Sequence, residues 1–236
     1  MVSYISAKSA PLLKSVIPLL IPFFKTSALY FILSNHLSES KILFSILKCT
    51  PIITLLIFVI SRCYVSRCFS SYRILVSAGL ILSCIGDVFL VYKPEGYLIH
   101  GIVAFGIAQV IYTCAFGFRQ FKGKIAGALF VCGVCIYRLI YPNLTGILVI
   151  ACPIYMSMLG CMIWRATSRA EWSNRELCTS KLLPAIGSIL FMISDIILAL
   201  SLFHVITFTG CGNAIMFTYY AAQMFIALSC TDPLSI

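Results

Sequence analysis

Two carboxylates lie inside apolar stretches that are long enough to cross a membrane. Asp87 interrupts the stretch ILVSAGLILSCIGDVFLV, and Asp195 interrupts LLPAIGSILFMISDIILAL. The chain has seven acidic residues, and the other five lie between such stretches or near the C-terminus. A carboxylate in the hydrocarbon of a bilayer costs several kcal/mol unless it faces a polar interior. Asp87 and Asp195 are therefore the first candidates for function.

Apolar stretches dominate the whole chain. Of its 236 residues, 61% are hydrophobic and 10% are charged, and the mean hydropathy is +1.04. This exceeds what a soluble domain needs, and several runs approach the roughly 20 apolar residues that span a bilayer. The sequence predicts an all-α protein, a polytopic transmembrane helical bundle that forms one domain over residues 1–236. Eight spans are predicted, at 15–34, 42–60, 74–92, 97–118, 125–141, 145–164, 182–203 and 212–230.

The formal charge of +10 is distributed unevenly between the two ends of the predicted spans. Twelve of the 17 Lys and Arg residues lie at the N-terminus or in the connections after spans two, four and six. These are Lys8, Lys14, Arg62, Arg67, Arg73, Arg119, Lys122, Lys124, Arg165, Arg169, Arg175 and Lys181. The asymmetry follows the positive-inside rule and predicts that both termini are cytosolic. Basic loops beside a membrane attract anionic lipid, so the charge does not indicate a nucleic-acid partner.

A faint internal repeat relates the two halves of the chain. Aligning Asp87 with Asp195 brings several Leu and Ile residues of spans three and seven into register. These spans are four apart, so both run from the cytosol to the far side. The pattern is that of two four-helix halves in a parallel repeat.

Further polar residues are predicted near the depth of the two aspartates. Each aspartate lies about 13 residues into its span, which is roughly 20 Å from the cytosolic edge. Lys48, Tyr219, Tyr220 and Gln223 reach the same far-side layer from neighbouring helices, while Gln109 and Tyr112 lie nearer the middle of the bilayer and Lys25 lies near its centre. Ser83 is one turn before Asp87 on the same helix face and would support it. Together these side chains would enclose a polar chamber and contact a substrate. These candidates are Lys25, Lys48, Ser83, Gln109, Tyr112, Tyr219, Tyr220 and Gln223.

A structural reading of the same residues is the alternative. A buried Asp and Lys pair can simply lock helices together, and Lys25 and Lys48 can extend their ammonium groups to the interface. Two aspartates at one depth, with several donors converging on them, favour a functional site.

Several motifs resemble those of the YhhN-like family of eight-span membrane proteins. The main ones, in order along nearly the whole chain, are GDVFLVYKPEGYLIHG (86–101), AFG (115–117), FMISDIILAL (191–200) and TYYAAQMFIALS (218–229). Two more, IPFFK (21–25) and KCTP (48–51), resemble the animal members of the family.

The resemblance implies a lysoplasmalogenase. Such enzymes hydrolyse the vinyl ether of lysoplasmalogens, giving a fatty aldehyde and glycerophosphoethanolamine or glycerophosphocholine. The family aspartates correspond to Asp87 and Asp195, and a Tyr-Tyr-x-x-Gln motif corresponds to Tyr219, Tyr220 and Gln223. Many members have His where this chain has Gln109, so a proton-transfer role there is not implied. A lysophospholipid substrate within the membrane and an endoplasmic reticulum location are also implied.

The chemistry of a vinyl ether matches the two aspartates independently of the resemblance. A vinyl ether hydrolyses when a carbon is protonated, which gives an oxocarbenium ion that water captures. An undissociated acid and a nearby anion are needed, and two carboxylates in different environments supply both, as in glycosidases. An ammonium such as Lys48 favours the charged form of one aspartate, while an apolar environment favours the neutral form of the other. This scheme needs no cofactor and no metal, and the sequence does not say which aspartate is the acid.

Two other functions remain open at this point. A proton-coupled or lipid transporter also uses aspartate and lysine within the membrane. A zinc-dependent lipid amidohydrolase is the second alternative, because His36, His100 and His204 are all predicted on the far side. These histidines are neither in a ligand-spaced motif nor on one helix.

Overall fold

The computed structural model describes residues 2–37, 39–66, 70–118, 121–170 and 179–231. Within these ranges the chain forms α-helices joined by short turns, and no β-strand occurs there. The α-helices are α1 (Val2–Leu37), α2 (Lys41–Ser66), α3 (Ser71–Val91), α4 (Leu98–Phe116), α5 (Gly123–Ile140), α6 (Leu148–Arg169), α7 (Thr179–Leu202) and α8 (Cys211–Leu228). Three short 3₁₀ helices cover Lys93–Glu95, Tyr141–Asn143 and Ser229–Thr231.

All eight α-helices contain a segment long and apolar enough to cross a membrane, which confirms the predicted fold class. The predicted bounds agree with the helix ends to within about two turns, except at the start of α1, which begins at Val2 although the span was predicted from residue 15. The ends of α2 and α6 also differ, since these helices continue to Ser66 and Arg169, beyond the predicted spans. The outer surface carries large exposed apolar side chains such as Ile32, Ile57 and Phe217, as expected for a surface that faces lipid.

Local signals explain several helix ends. Ser70 precedes α3 and its hydroxyl accepts a hydrogen bond from the backbone N–H of Arg73 at 3.4 Å, which satisfies a free donor of the first turn. Gly117 ends α4 with φ +75°, and Gly210 precedes α8 with φ +86°, a backbone conformation that glycine adopts without strain. These ends set the depth at which the polar side chains of each helix lie.

Glycines bring the helices that carry the aspartates close to their partners. A Cβ at Gly79 of α3 would overlap with the ring of Tyr112 on α4. A Cβ at Gly187 of α7 would lie 2.8 Å from the carbonyl oxygen of Ala222 on α8. The two glycines precede Asp87 and Asp195 by the same number of residues. Small residues at such crossings let membrane helices approach closely, so α3 packs tightly on α4 and α7 on α8.

The packing follows the predicted repeat. Within the first half, α1 contacts α2, α2 contacts α3, and α3 contacts α4; the same order of contacts links α5 to α8. The two halves contact each other where α4 packs on α6 and where α8 packs on α2. In the repeat α4 corresponds to α8 and α2 to α6, so these two interfaces are equivalent. The core therefore lies between α2, α3, α4, α6, α7 and α8, while α1 and α5 lie further out.

Candidate active site

Asp87 lies near the end of α3 in a fully formed set of hydrogen bonds. Its side chain is 2% exposed. Oδ1 lies 3.0 Å from Nζ of Lys48 on α2, and Oδ2 accepts a hydrogen bond of 2.7 Å from the hydroxyl of Tyr219 on α8. Lys48 is itself buried, so the two opposite charges are removed from water together. Both oxygens of Asp87 are thus engaged by donors that stabilise a carboxylate.

Asp195, on α7, has a different set of partners. Oδ2 accepts a hydrogen bond of 2.6 Å from the hydroxyl of Tyr155 on α6 and a longer one of 3.4 Å from Nε2 of Gln109 on α4. Among the described residues, Asp195 forms no ion pair and its Oδ1 accepts no hydrogen bond. This aspartate therefore has one oxygen held by neutral donors and one oxygen available to a ligand.

The two aspartates occupy equivalent places in the repeat. Asp87 is contacted from α2 and α8, and Asp195 from α6 and α4, which are the corresponding helices of the other half. Lys48 and Tyr155 lie at the same distance from the start of their helices, whereas Tyr219 and Gln109 differ by about one turn. The backbone arrangement is repeated, but Asp87 is paired with a lysine, whereas Asp195 is hydrogen-bonded by neutral donors. The two carboxyl groups therefore lie in different electrostatic environments.

A cavity of about 500 Å³ connects the two aspartates. Lys48, Tyr155 and Tyr219 line it beside Asp87 and Asp195. Apart from two lysines at one end, the rest of the wall is mostly apolar and is formed mainly by α5, α6 and α7. A cavity with a few convergent polar groups in an apolar wall is typical of a small-molecule site.

Positive charge gathers at one end of this cavity, next to the start of α2 and the end of α3. Lys41 and Lys93 line that end, and Lys41 is paired with Glu95. Loss of hydration, together with the nearby ammonium of Lys48, lowers the pKa of Lys93 below its ordinary value. An anionic group at this mouth would relieve the repulsion between the lysines.

A buried hydrogen-bonded chain supports the wall beside Asp87. The hydroxyl of Tyr112 donates to Oε1 of Gln223 at 2.8 Å, and Nε2 of Gln223 donates to the hydroxyl of Ser83 at 3.0 Å. Ser83 donates in turn to the carbonyl of Gly79 at 2.8 Å. These side chains are fully buried and do not line the cavity, so their hydrogen bonds fix helices α3, α4 and α8 relative to one another.

The remaining predicted residues fall in different places. Tyr220 donates to the backbone carbonyl of Lys48 at 2.8 Å, which joins α8 to α2. Gln109 is buried beneath Asp195, and its Oε1 has no hydrogen-bond partner among the described residues. Lys25 does not join the cluster, since its side chain is exposed on the outside of α1. Depth along a helix placed Lys25 near the others, but the rotation of α1 turns it away.

Among the cavity residues that were not predicted as site residues, three carry groups that the site can use: Tyr155, Lys41 and Lys93. Tyr155 lies as far into α6 as Tyr219 lies into α8, so the depth argument that selected Tyr219 would also have selected it. Lys41 and Lys93 are distant in sequence, at the start of α2 and just after α3. Their common position appears only when α2 and α3 are packed side by side.

Possible metal ligands are scattered. Within the described ranges no three His, Cys, Asp or Glu side chains are grouped as a metal site would require. His100 packs against the rings of Phe89 and Tyr97, and His204 lies in the turn after α7. The amidohydrolase alternative therefore has no histidine cluster to support it in this part of the chain.

The chain is similar to known proteins over most of its length. Residues 43–230 match the model of the YhhN family. The chain is 36% identical to bovine "Lysoplasmalogenase TMEM86A" over 223 residues, which are 93% of this chain and 91% of the relative. It is 34% identical to the human protein of that name over 93% of this chain and 91% of the relative. It is 26% identical to "Lysoplasmalogenase homolog" of Dictyostelium discoideum over 91% and 86%. No solved structure matches significantly. With most of its length matched by the family model and by these relatives, the chain belongs to the YhhN family.

Proposed function

We propose that this integral membrane protein is a lysoplasmalogenase that hydrolyses the vinyl ether bond of lysoplasmalogens within the bilayer. One observation carries the proposal: two aspartates with contrasting partners line one largely apolar cavity. The names of the relatives support the same reaction. A lipid substrate suits this cavity, because its chain needs apolar walls and its reacting bond needs a few polar groups.

Asp195 is the proposed acid and Asp87 the proposed carboxylate. An ammonium at 3.0 Å and a phenol hydroxyl at 2.7 Å favour the charged form of Asp87. Asp195 has neutral donors on Oδ2, which leaves Oδ1 to carry a proton into the cavity. Two acidic groups in environments that separate their protonation states are the usual arrangement for combined acid and anion catalysis.

The proposed reaction proceeds in three steps. The proton of Asp195 forms a new C–H bond at the vinyl carbon remote from oxygen, which leaves an oxocarbenium ion and a carboxylate. Asp87 stabilises the cation, water adds to its carbon, and the proton released from water returns to Asp195. The hemiacetal then breaks its bond to the glycerol oxygen, which takes up the hydroxyl proton, and the products are the fatty aldehyde and the glycerophospho head group.

The charge distribution orients the substrate in this proposal. The phosphodiester lies at the mouth beside Lys41 and Lys93, where two ammonium groups face the cavity. The vinyl ether then lies between the aspartates, and Tyr155, Tyr219, Gln109 and the buried chain of Tyr112, Gln223 and Ser83 hold the catalytic groups in place. Tyr220 positions Lys48 through its backbone. Lys25, exposed on α1, has no part in this scheme.

The proposed location is the endoplasmic reticulum membrane, with both termini in the cytosol. Basic residues flank the end of the bundle where α2, α4 and α6 finish, including Arg62, Lys122 and Arg169. Lys41 and Lys93 lie at the opposite end, so the cavity mouth would face the lumen. Arg67, Arg119 and Arg175, which contribute to the same charge asymmetry, lie outside the described residues.

The direct test uses purified protein with a lysoplasmalogen and with a matched lysophospholipid that has an ester in place of the vinyl ether. We expect fatty aldehyde from the first and no fatty acid from the second. If the ester is cleaved equally well, the site is a general lysophospholipase. If neither lipid is cleaved but reconstituted vesicles move lipid or protons, the transporter alternative is correct.

A further inference from the structure

A second cavity lies between α5 and α6, next to the cavity that contains Asp87 and Asp195, which is called the reaction chamber below. Its volume is about 300 Å³. It is lined by one face of each helix at helical spacing, which places its wall along about 16 Å of the bundle. The lining residues lie between Ala126 and Tyr137 of α5 and between Pro153 and Trp164 of α6.

This groove is continuous with the cavity that contains the aspartates. Leu129 and Gly133 of α5 and Met156 and Gly160 of α6 line both spaces. At its outer side Phe130 and Val134 line the groove although their side chains are 73% and 45% exposed. The groove thus leads from the reaction chamber to the lipid-facing surface of the bundle.

The glycines of the groove leave space and do not serve close packing. A Cβ added at Gly133 or Gly160 would meet no heavy atom within 4 Å. At Gly86, where helices do pack closely, a Cβ would lie 2.6 Å from the ring of Phe105. The small residues between α5 and α6 therefore hold open a gap that larger side chains would close.

The polar side chains along the groove are satisfied within the protein. The hydroxyl of Ser157 donates to the carbonyl of Pro153 at 2.8 Å, and that of Tyr137 donates to the carbonyl of Val149 at 3.0 Å. The indole N–H of Trp164 donates to the carbonyl of Lys122 at 3.0 Å. These side chains offer no free donor, so the groove suits hydrocarbon.

We infer that the groove between α5 and α6 is the channel for the alkenyl chain: it holds the chain during reaction and releases the aldehyde sideways into the bilayer. The inference rests on the proposed hydrolysis. If the head group binds beside Lys41 and Lys93 and the vinyl ether lies between the aspartates, the hydrocarbon chain is directed toward the groove. The channel would set the preference for chain length, because a long chain must enter it and a short chain ends within the reaction chamber.

The test narrows the groove without disturbing the fold. Gly133→Leu and Gly160→Leu place a side chain into open space, and leucine favours helix more than glycine does. Gly127→Leu is the matched control, since Gly127 is also on α5 with no atom within 4 Å of its Cβ but lines neither cavity. Each variant is compared with wild type on hexadecenyl and octenyl lysoplasmalogens.

We expect the ratio of kcat/KM for the hexadecenyl over the octenyl substrate to fall by about tenfold or more in the two groove variants, which is the scale on which apolar pockets discriminate. The ratio should stay unchanged in Gly127→Leu. If the groove variants keep the wild-type ratio, the inference is wrong although hydrolysis itself would stand. If they change both substrates equally and alter the oligomeric state, the groove is a contact between copies of the chain, which also overturns it.

A binding readout separates this inference from the proposed reaction. A lysophospholipid with a saturated ether and a diazirine at the end of its chain cannot be hydrolysed, so labelling does not depend on activity. We expect the label on residues 126–137 or 153–164, with less label when unmodified ether lipid is added and in Gly160→Leu. Label confined to other helices would refute the channel even in an active enzyme.

Discussion

The pair formed by Lys48 and Asp87 gives the sharpest prediction about stability. At 3.0 Å and an effective dielectric constant of about 20, two unit charges attract by roughly 5–6 kcal/mol. The side chains are 10% and 2% exposed, so solvent screens the pair little. Removing one member of a buried pair typically costs about 3–5 kcal/mol, because the other charge is left without compensation. Lys48→Met should therefore lower the free energy of unfolding by about that amount.

A second substitution, at Asp87, should restore most of the stability that Lys48→Met removes. In Lys48→Met/Asp87→Asn no charge remains, and Tyr219 can still donate to the amide oxygen, so the double variant should be more stable than Lys48→Met alone. Lys41→Met is the matched control, since Lys41 pairs with Glu95 at a largely exposed site and such pairs contribute at most about 1 kcal/mol.

The measurement is reversible unfolding in mixed detergent micelles, followed by circular dichroism at several salt concentrations. Wild-type stability in Lys48→Met, or a double variant less stable than this single one, would show that the two side chains are not a compensating pair. Turnover should be lost in both variants, since the proposed anion is either unsupported or absent.

Three further predictions concern other parts of the site. Tyr155→Phe removes the 2.6 Å hydrogen bond to Asp195, and we expect turnover to fall about tenfold or more with unfolding unchanged to within about 1.5 kcal/mol, measured by aldehyde release and by denaturation. Gly86→Ala places a Cβ 2.6 Å from the ring of Phe105, so the melting temperature should fall clearly in a thermal scan, whereas an unchanged one would mean that the helices separate freely. Because the pKa of Lys93 is lowered, the folded protein binds fewer protons than the unfolded chain at pH values between that pKa and the ordinary 10.5. The free energy of unfolding should therefore rise with pH in this alkaline range. Unfolding measured over a pH series should show this rise in wild type and not in Lys93→Gln.

Much of the fold followed from the sequence because the bilayer restricts what an apolar stretch can do. Every backbone polar group must be satisfied within the span, so apolar runs of sufficient length predict helices and their approximate ends. The depth of Asp87 and Lys48 followed from the same count, and the alignment of Asp87 with Asp195 anticipated the repeated pattern of helix contacts.

The rotation of each helix about its axis, and the side chains that each polar residue contacts on other helices, could not be predicted in this way. Lys25 lies at a suitable depth but faces outward, because the apolar composition of α1 does not specify which side meets the bundle. Ser83 was expected to support Asp87 from one turn away, yet its hydroxyl is engaged by Gln223 on α8. Such contacts depend on how helices distant in sequence cross. The assignment of Lys48 to Asp87 and of Tyr155 to Asp195 likewise required the packed structure.

The repeat suggests how two similar halves come to act differently. Asp87 and Asp195 lie on corresponding helices and are approached from corresponding neighbours. In the proposed mechanism, a lysine beside Asp87 and a tyrosine beside Asp195 separate the charge states of the two carboxyl groups. Under this scheme, giving Asp195 a cation through Tyr155→Lys should favour its charged form and remove the acid.

Deuterium incorporation from heavy water tests the central claim most directly. If Asp195 protonates the vinyl carbon, the aldehyde formed in D₂O and reduced at once to the alcohol carries one deuterium on the carbon next to the former carbonyl. Asp195→Asn and Asp87→Asn should each fold but form this product at least about a hundredfold more slowly, the scale expected for loss of a positioned acid or base. The double variant should be little slower than the slower single one, because residues that act as a unit are not additive. Product without deuterium at that carbon, or near-wild-type turnover in either single variant, would contradict the mechanism.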